Sequence, residues 1–228
     1  MGTKLSDGTI KRILLIGSGF ALGYCLYRAY KTWRKRQSKN IDEGFEDVSK
    51  IEETPEKRIL FLGLESAGKS TLISQISTGS AVASKNMEPT EGFKVTPMET
   101  NGICLKIWEI GGMDKVRSYW TNFLQDTDIL VFVVDAANFH NLSRAVKEIK
   151  WLLADERLAN VPVLLVANKQ DIESAMNPQQ VANALDLGSV PPSKHKVHII
   201  GTQCPPNAVL RHPSISELEK VLLATKND

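Results

Sequence analysis

From position 58 onward, apolar residues alternate between short unbroken runs and stripes at helical spacing. The runs at 59–63, 129–134 and 161–166 have the length and continuity of strands buried on both faces, and a weaker run covers 196–201. Segments 93–100 and 103–110 flank Asn101-Gly102, the strongest short hairpin signal, and are expected as antiparallel neighbours. Helices are expected over about 69–78, 116–125, 139–155, 177–186 and 214–225. In the last of these, Ile215, Leu218, Val221 and Leu222 repeat at helical spacing behind Ser214 or Ser216 as the cap. Six strands interleaved with helices predict an α/β fold. The expected architecture is a doubly wound, mostly parallel six-stranded sheet with one antiparallel hairpin and ligands at the carboxyl ends of its strands.

The amino-terminal part follows a different pattern. Residues 13–27 carry no charge. As a helix they reach roughly 22 Å, short of the ~30 Å hydrocarbon core of a bilayer, but a snorkelling Arg28 with Ala29 and Tyr30 extends the span to about 18 residues. Tyr24, Tyr27, Tyr30 and Trp33 gather at the carboxyl end, where amphipathic rings favour the headgroup level. Gly19 and Gly23 form a G-x-x-x-G pair that could admit a second helix. A cleaved signal peptide would send the rest of the chain into the secretory lumen, and the basic flanks on both sides disfavour a buried core helix. A single membrane-anchoring helix over 13–30 fits best.

Three basic residues precede this segment and six follow it before position 40, which by the positive-inside bias puts the carboxyl side in the cytosol. The expected localisation is therefore a single-pass membrane protein with its globular domain in the cytosol, on an organelle such as the mitochondrial outer membrane or another endomembrane, with membrane lipid as a partner. Met1-Gly2-Thr3-Lys4-Leu5-Ser6 also matches the myristoylation pattern M-G-x-x-x-[ST]. A lipidated Gly2 would stay in the cytosol and so conflicts with the span. The expected organisation is a basic amino terminus over 1–12, the membrane helix over 13–30, a basic then acidic linker over 31–56 and the globular domain over 57–228.

Composition sharpens this division. With 42% apolar and 24% charged residues in 228, the chain is globular in character and neither disordered throughout nor collagen-like. Three cysteines exclude a disulfide scaffold and suit a reducing compartment. The net charge of +2 hides an asymmetry: residues 1–40 hold nine basic residues and one acid, a net +8, which leaves −6 for the remainder. Residues 41–57, with seven acids and two lysines and no hydrophobic period, take most of that as a solvated linker. The globular domain is nearly neutral, and nucleic acid is not expected among its partners.

The chemistry begins after the first strand. Gly63-Leu64-Glu65-Ser66-Ala67-Gly68-Lys69-Ser70-Thr71 fits G-x-x-x-x-G-K-[ST] between an expected strand and an expected helix, the context this phosphate-binding loop requires. Its glycines let backbone N–H groups close around phosphate oxygens at a helix N-terminus. Lys69 reaches the β- and γ-phosphates, and the Ser70 hydroxyl is a Mg²⁺ ligand. About one hundred residues later, Asn168-Lys169-Gln170-Asp171 ends a buried strand. A carboxylate there can accept two hydrogen bonds from guanine N1 and N2, which adenine cannot supply, while the Lys169 stem covers the ring. His195 and His198 sit two apart with nothing to complete a metal site, and each is read as a surface or core histidine. Cys104, inside a strand, is expected to be small and buried.

On these motifs the chain resembles the ADP-ribosylation factor-like small GTPases, which are P-loop nucleotide-binding proteins. Pro89-Thr90-Glu91-Gly92-Phe93 is similar to the family's first switch, whose threonine closes on Mg²⁺ when the γ-phosphate is present. Trp108-Glu109-Ile110-Gly111-Gly112-Met113-Asp114-Lys115, with Arg117 and Trp120, is similar to the second switch. Ala175-Met176-Asn177 also matches, and the resemblance spans about 57–202. It is nearest to the divergent ADP-ribosylation factor-like proteins nine and ten, which share E-I-G-G and a following S-Y-W or similar run. The resemblance implies GTP and GDP with Mg²⁺ as ligands, protein effectors, exchange factors and activating factors as partners, and a monomer.

Carried onto this chain, the resemblance assigns nucleotide binding to Gly63, Glu65, Ser66, Ala67, Gly68, Lys69, Ser70, Thr71, Gly112, Asn168, Lys169, Asp171 and Cys204. It assigns the metal to Ser70, Thr90 and Glu109. Cys204 is either a base contact through its backbone N–H or part of a plain loop before Pro205-Pro206. Three departures stand out. Glu109 replaces the family's aspartate, which holds Mg²⁺ through water, and Glu65 replaces another aspartate. Met113 replaces the glutamine that orients the attacking water, and a thioether cannot do this. No catalytic residue is therefore assigned, and hydrolysis is expected to be slow. Two functions remain: a nucleotide switch that orders 79–92 and 111–121 to recruit effectors, and a constitutive GTP-bound docking module with essentially no hydrolysis. An ATP-dependent P-loop enzyme is disfavoured by Asn168-Lys169-Gln170-Asp171 and the lack of a substrate domain.

Overall fold

The computed structural model describes residues 56–81, 88–100, 102–206 and 208–225. These belong to the compact unit Thr54–Asp228. The strands are β1 (Glu56–Leu62), β2 (Phe93–Thr100), β3 (Ile103–Ile110), β4 (Ile129–Asp135), β5 (Val163–Asn168) and β6 (Val197–Gly201). The helices are α1 (Lys69–Thr78), the single turn α2 (Asp114–Arg117), α3 (Leu142–Ala154), α4 (Pro178–Ala184) and α5 (Pro213–Ala224). The six strands form one sheet in the order β2-β3-β1-β4-β5-β6. Every pairing is parallel except β2 with β3, whose antiparallel register runs from Phe93 opposite Ile110 to Thr100 opposite Ile103. Gly102, at φ 72, takes the left-handed conformation that a tight hairpin turn demands. The chain leaves β1 for β3 on one side and reaches β4 on the other, and a ligand crevice opens at the carboxyl ends of strands diverging in this way.

Period-two alternation divides the core into two layers. Leu60, Leu62, Leu130, Phe132 and Leu165 face Trp120 and the Ala145, Ile149 and Leu152 stripe of α3. Ile59, Phe61, Val131, Val133 and Val166 face Leu72, Ile73 and Ile76 of α1 and Ile215, Leu218 and Leu222 of α5. Each large side chain so buried contributes about 1.5–3 kcal/mol by its transfer from water. Pro97 sits on edge strand β2, where a missing N–H costs no central ladder bond.

The departures from the sequence expectation have local causes. The helix expected over 116–125 is α2 followed by a 3-10 turn, Trp120–Phe123. Within that turn Trp120 is fully buried and donates its indole N–H to the Gly111 carbonyl at 3.0 Å. The strand expected from 161 begins at Val163, because Pro162 has no N–H to give the ladder and instead accepts from Leu130 at 3.0 Å. Helix α5 is capped by His212, whose Nδ1 accepts from the Ser214 N–H, with Pro213 in the first turn. Neither expected serine is the cap. Cys104 is half-buried rather than buried, and His195 is a core residue whose ring nitrogens face the Val161 and Leu153 carbonyls. His198 is exposed.

The membrane expectation is corrected. Among the described residues no helix is long and apolar enough to cross a membrane, which contradicts the single-pass localisation. The longest helix among the described residues, α3, has 13 residues, about 20 Å, and turns its apolar stripe onto the sheet. The expected anchor over 13–30, with the segments at 1–12 and 31–55, lies outside the described residues.

Phe61 joins the α1–α5 layer at the centre of the sheet. Phe61→Ala is expected to lower stability by about 3–5 kcal/mol, since the cavity cannot collapse between paired strands. Urea denaturation followed by circular dichroism measures it.

Candidate functional site

At the carboxyl end of β1 the chain turns through Gly63, Ser66 (φ 59) and Gly68 (φ 93) before entering α1. No side chain caps this helix, and its N-terminus begins directly after the loop at the edge of the crevice. Gly68 is required twice over. Its backbone is left-handed, and a Cβ there would stand 2.3 Å from the Asn168 amide nitrogen. Asn168 itself is buried. It donates from Nδ2 to the Ala67 carbonyl at 2.8 Å and accepts at Oδ1 from the Thr202 hydroxyl at 2.9 Å. Its amide thus braces the loop.

The cleft encloses about 320 Å³. Glu65, Ser66, Gly68, Lys69, Ser70 and Thr71 line it from the loop and α1, Thr90 from the segment before β2, Glu109 from β3, and Gly112, Met113 and Lys169 from its rim. Lys69 is buried and donates from Nζ to the Gly63 and Leu64 carbonyls at 2.9 and 3.0 Å. Burial pushes its ammonium down to about 8, against the opposing pull of Glu109 and Glu65. Opposite it, Glu109 accepts hydrogen bonds on one carboxylate oxygen from Ser70 and from Thr90, the latter at 3.0 Å, and the two hydroxyls lie 3.3 Å apart. Three hard oxygens from three separate segments converge here, a donor set that fits Mg²⁺ alongside phosphate oxygens. Among the described residues no cluster of three or more His, Cys, Asp or Glu offers an all-protein metal site.

The second loop lies against the first. A Cβ on Gly112 would come within 2.4 Å of Glu65 N and Gly63 O, so only glycine permits this approach. Trp120 holds the Gly111 carbonyl, while Arg117 donates to the Gly112 carbonyl at 3.1 Å and is itself fixed by Glu148 at 3.0 Å and by Asp114. Met113 turns from the cleft rim toward the apolar core, where it packs partly buried. Glu88 and Pro89 line the cleft without having been expected to.

The loops after β5 and β6 are stitched together by the Gln170 N–H donating to the Thr202 carbonyl at 3.0 Å. Lys169, left-handed at φ 67, is tied to Asp135 at 2.6 Å, and Asp135 also accepts from the Ala137 N–H. Asp171 is exposed and lies outside the cleft lining, as does half-buried Cys204. Burial, with the Asp171 charge nearby, pushes the Cys204 thiol up to about 11 and keeps it protonated. Sequence reasoning gave Thr202, Asp135 and Glu148 no role of their own. Asp135 had a signal, a carboxylate closing a buried strand, whereas the other two act through partners 34 and 31 residues away.

Comparison with known proteins adds a family to this geometry. The model of the ADP-ribosylation factor family matches residues 45–219. ADP-ribosylation factor-like protein 3 of Chlamydomonas reinhardtii is 40% identical over 135 residues, 59% of this chain and 75% of the relative. ADP-ribosylation factor-like protein 2 of Arabidopsis thaliana is 38% identical over 140 residues, 61% of this chain and 74% of the relative. Among solved structures, the Arl6 BBS3 small GTPase from Trypanosoma brucei with bound nucleotide analogue GppNp is similar at a TM-score of 0.61 and 25% identity. That match covers 73% of this chain and 96% of the other.

The depressed Lys69 fixes a sign for pH dependence. An unfolded lysine titrates near 10.4, so between about pH 8 and that value the unfolded chain holds a proton that the folded chain lacks. In protein stripped of bound anions, this group makes stability rise with pH across that window and adds no slope below it. Urea midpoints from pH 7.5 to 10 are expected to show this rise relative to Lys69→Met, which lacks the group. Parallel pH profiles for the two proteins would contradict it.

Proposed function

The chain belongs to the ADP-ribosylation factor family of small GTPases, and from that premise we propose that it works as a slow guanine-nucleotide switch with Mg²⁺ as cofactor. Binding of GTP and GDP goes with the family. The roles of individual residues are the present reading. The N-terminus of α1 and the Lys69 ammonium neutralise the phosphates, and Lys69 exchanges its two carbonyl partners for phosphate oxygens. Ser70, Thr90 and Glu109 hold Mg²⁺, whose contribution is to neutralise charge on the β- and γ-phosphates. Asp171 selects guanine, the Lys169 stem covers the ring with its head tied to Asp135, and Cys204 faces the base through its backbone. Within the family we place the chain nearest to the divergent ADP-ribosylation factor-like proteins nine and ten, on Glu109-Ile110-Gly111-Gly112 and Ser118-Tyr119-Trp120.

The observation that carries the word "slow" is Met113. Its side chain leans on the apolar core and offers neither a donor nor a useful acceptor to a water beside the γ-phosphate. With no glutamine at position 113 to orient that water, GTP persists and the switch segments stay closed on it. Effectors, exchange factors and activating factors are the expected protein partners. The same observation favours a second reading, a constitutive docking module that stays GTP-bound with essentially no turnover. The two differ in whether an activating partner restores hydrolysis.

In competition titrations of the full chain, GTP and GDP are expected to displace a labelled guanine nucleotide at least a hundredfold more effectively than ATP. Asp171→Asn is expected to collapse that ratio, and equal displacement by ATP in the wild-type chain overturns the reading. Single-turnover hydrolysis is expected near the detection limit and at least tenfold faster in Met113→Gln. A wild-type rate equal to that of the variant would mean that another group orients the water.

A further inference from the structure

Glu109 does more than replace one carboxylate by another. Its backbone is fixed on both sides, paired to Phe61 of β1 and to Lys94 of β2, so the side chain cannot be set back to compensate for its extra methylene. The carboxylate is buried, and a single oxygen, Oε1, meets both the Ser70 and the Thr90 hydroxyl. Nothing intervenes between these groups. Their spacing is informative. Ligands in adjacent positions of an octahedral Mg²⁺ shell, each 2.0–2.1 Å from the ion, lie about 2.9 Å from one another. Thr90 Oγ1 is 3.0 Å from Glu109 Oε1 and 3.3 Å from Ser70 Oγ, and the Ser70–Glu109 edge is shorter still. Two of the three edges lie near that spacing, and the third, between Ser70 and Glu109, is a direct hydrogen bond that an entering ion would open.

We infer that Glu109 binds the divalent cation directly, through Oε1, as a third protein ligand beside Ser70 and Thr90. The inference rests on the nucleotide and Mg²⁺ reading above and deepens it. A shorter acid on the same backbone stops about one carbon–carbon bond, ~1.5 Å, further back and must reach the ion through water. The glutamate therefore exchanges a water ligand for a charged protein ligand, which makes the cation harder to lose. It also joins β3, the phosphate loop and the segment before β2 through one ion. Direct ligation by Glu109 thereby holds Thr90 closed more firmly than a water-bridged carboxylate does, in keeping with a slow switch.

The test is Mn²⁺ binding to the full chain loaded with a non-hydrolysable GTP analogue, read by electron paramagnetic resonance of the free ion. Glu109→Asp is expected to bind Mn²⁺ at least tenfold more weakly than the wild type while retaining the analogue. Equal or tighter binding by Glu109→Asp overturns direct ligation and leaves the nucleotide reading standing. A wild-type chain that takes no analogue, or takes it with no saturable Mn²⁺, overturns that reading and this inference with it. A second measurement needs no variant. Spin-echo spectra of bound Mn²⁺ in ¹⁷O-water are expected to show one water ligand, because three protein and two phosphate oxygens fill the rest of an octahedral shell. Two water ligands would mean that Glu109 acts through one of them.

Discussion

The site depends on how closely two backbone segments approach at the carboxyl edge of the sheet. Gly112 lies against the phosphate loop so tightly that no Cβ fits, and Gly68 meets Asn168 in the same way. These approaches bring the end of β3 beside the start of α1, which lets a carboxylate on one reach a hydroxyl on the other. The approach is held by groups outside the cleft. Trp120 and Arg117 grip the Gly111 and Gly112 carbonyls, and Asn168, itself held by Thr202, grips Ala67. Buried hydrogen bonds of this kind are costly to break one-sidedly, so the bracing fixes the cleft before any ligand arrives.

Electrostatics then follow from burial. Lys69 and Glu109 are both removed from water in one small cleft, and burial weakens the hold of Lys69 on its proton. A cation that meets its partners only inside the protein is poised for a polyanion, because phosphate oxygens repay the desolvation that two backbone carbonyls repay only in part. The carboxylate facing Ser70 and Thr90 fits the matching part that we propose for it, toward a metal ion. On the proposed reading, with Met113 where the family directs water, such a switch relies on what binds to it and on what leaves.

Much of the fold was legible because its signals are local. The unbroken runs that became β1, β4 and β5 and the Asn-Gly turn between β2 and β3 each speak for themselves, as does the loop at 63–71. What was not legible depends on distance along the chain. Thr202 could not be tied to Asn168, or Glu148 to Arg117, without the tertiary fold, and the break after α2 reflects the needs of a buried Trp120. The site residues were grouped by resemblance, and the fold brings Ser70, Thr90 and Glu109 together while keeping Asp171 and Cys204 outside the cleft lining. The membrane reading failed in the opposite way. It rested on the hydropathy, basic flanks and aromatic residues of a segment outside the described residues, and the helices among the described residues are short and spend their apolar faces on the sheet.

The central claim is that this family member holds guanine nucleotide and hydrolyses it slowly. The most direct measurement is the identity of the nucleotide that stays with the full chain when it is isolated rapidly from cells in Mg²⁺-containing buffer, released by denaturation and separated by chromatography. The account predicts guanine nucleotide with GTP in excess over GDP. Adenine nucleotide, or GDP alone, would contradict it.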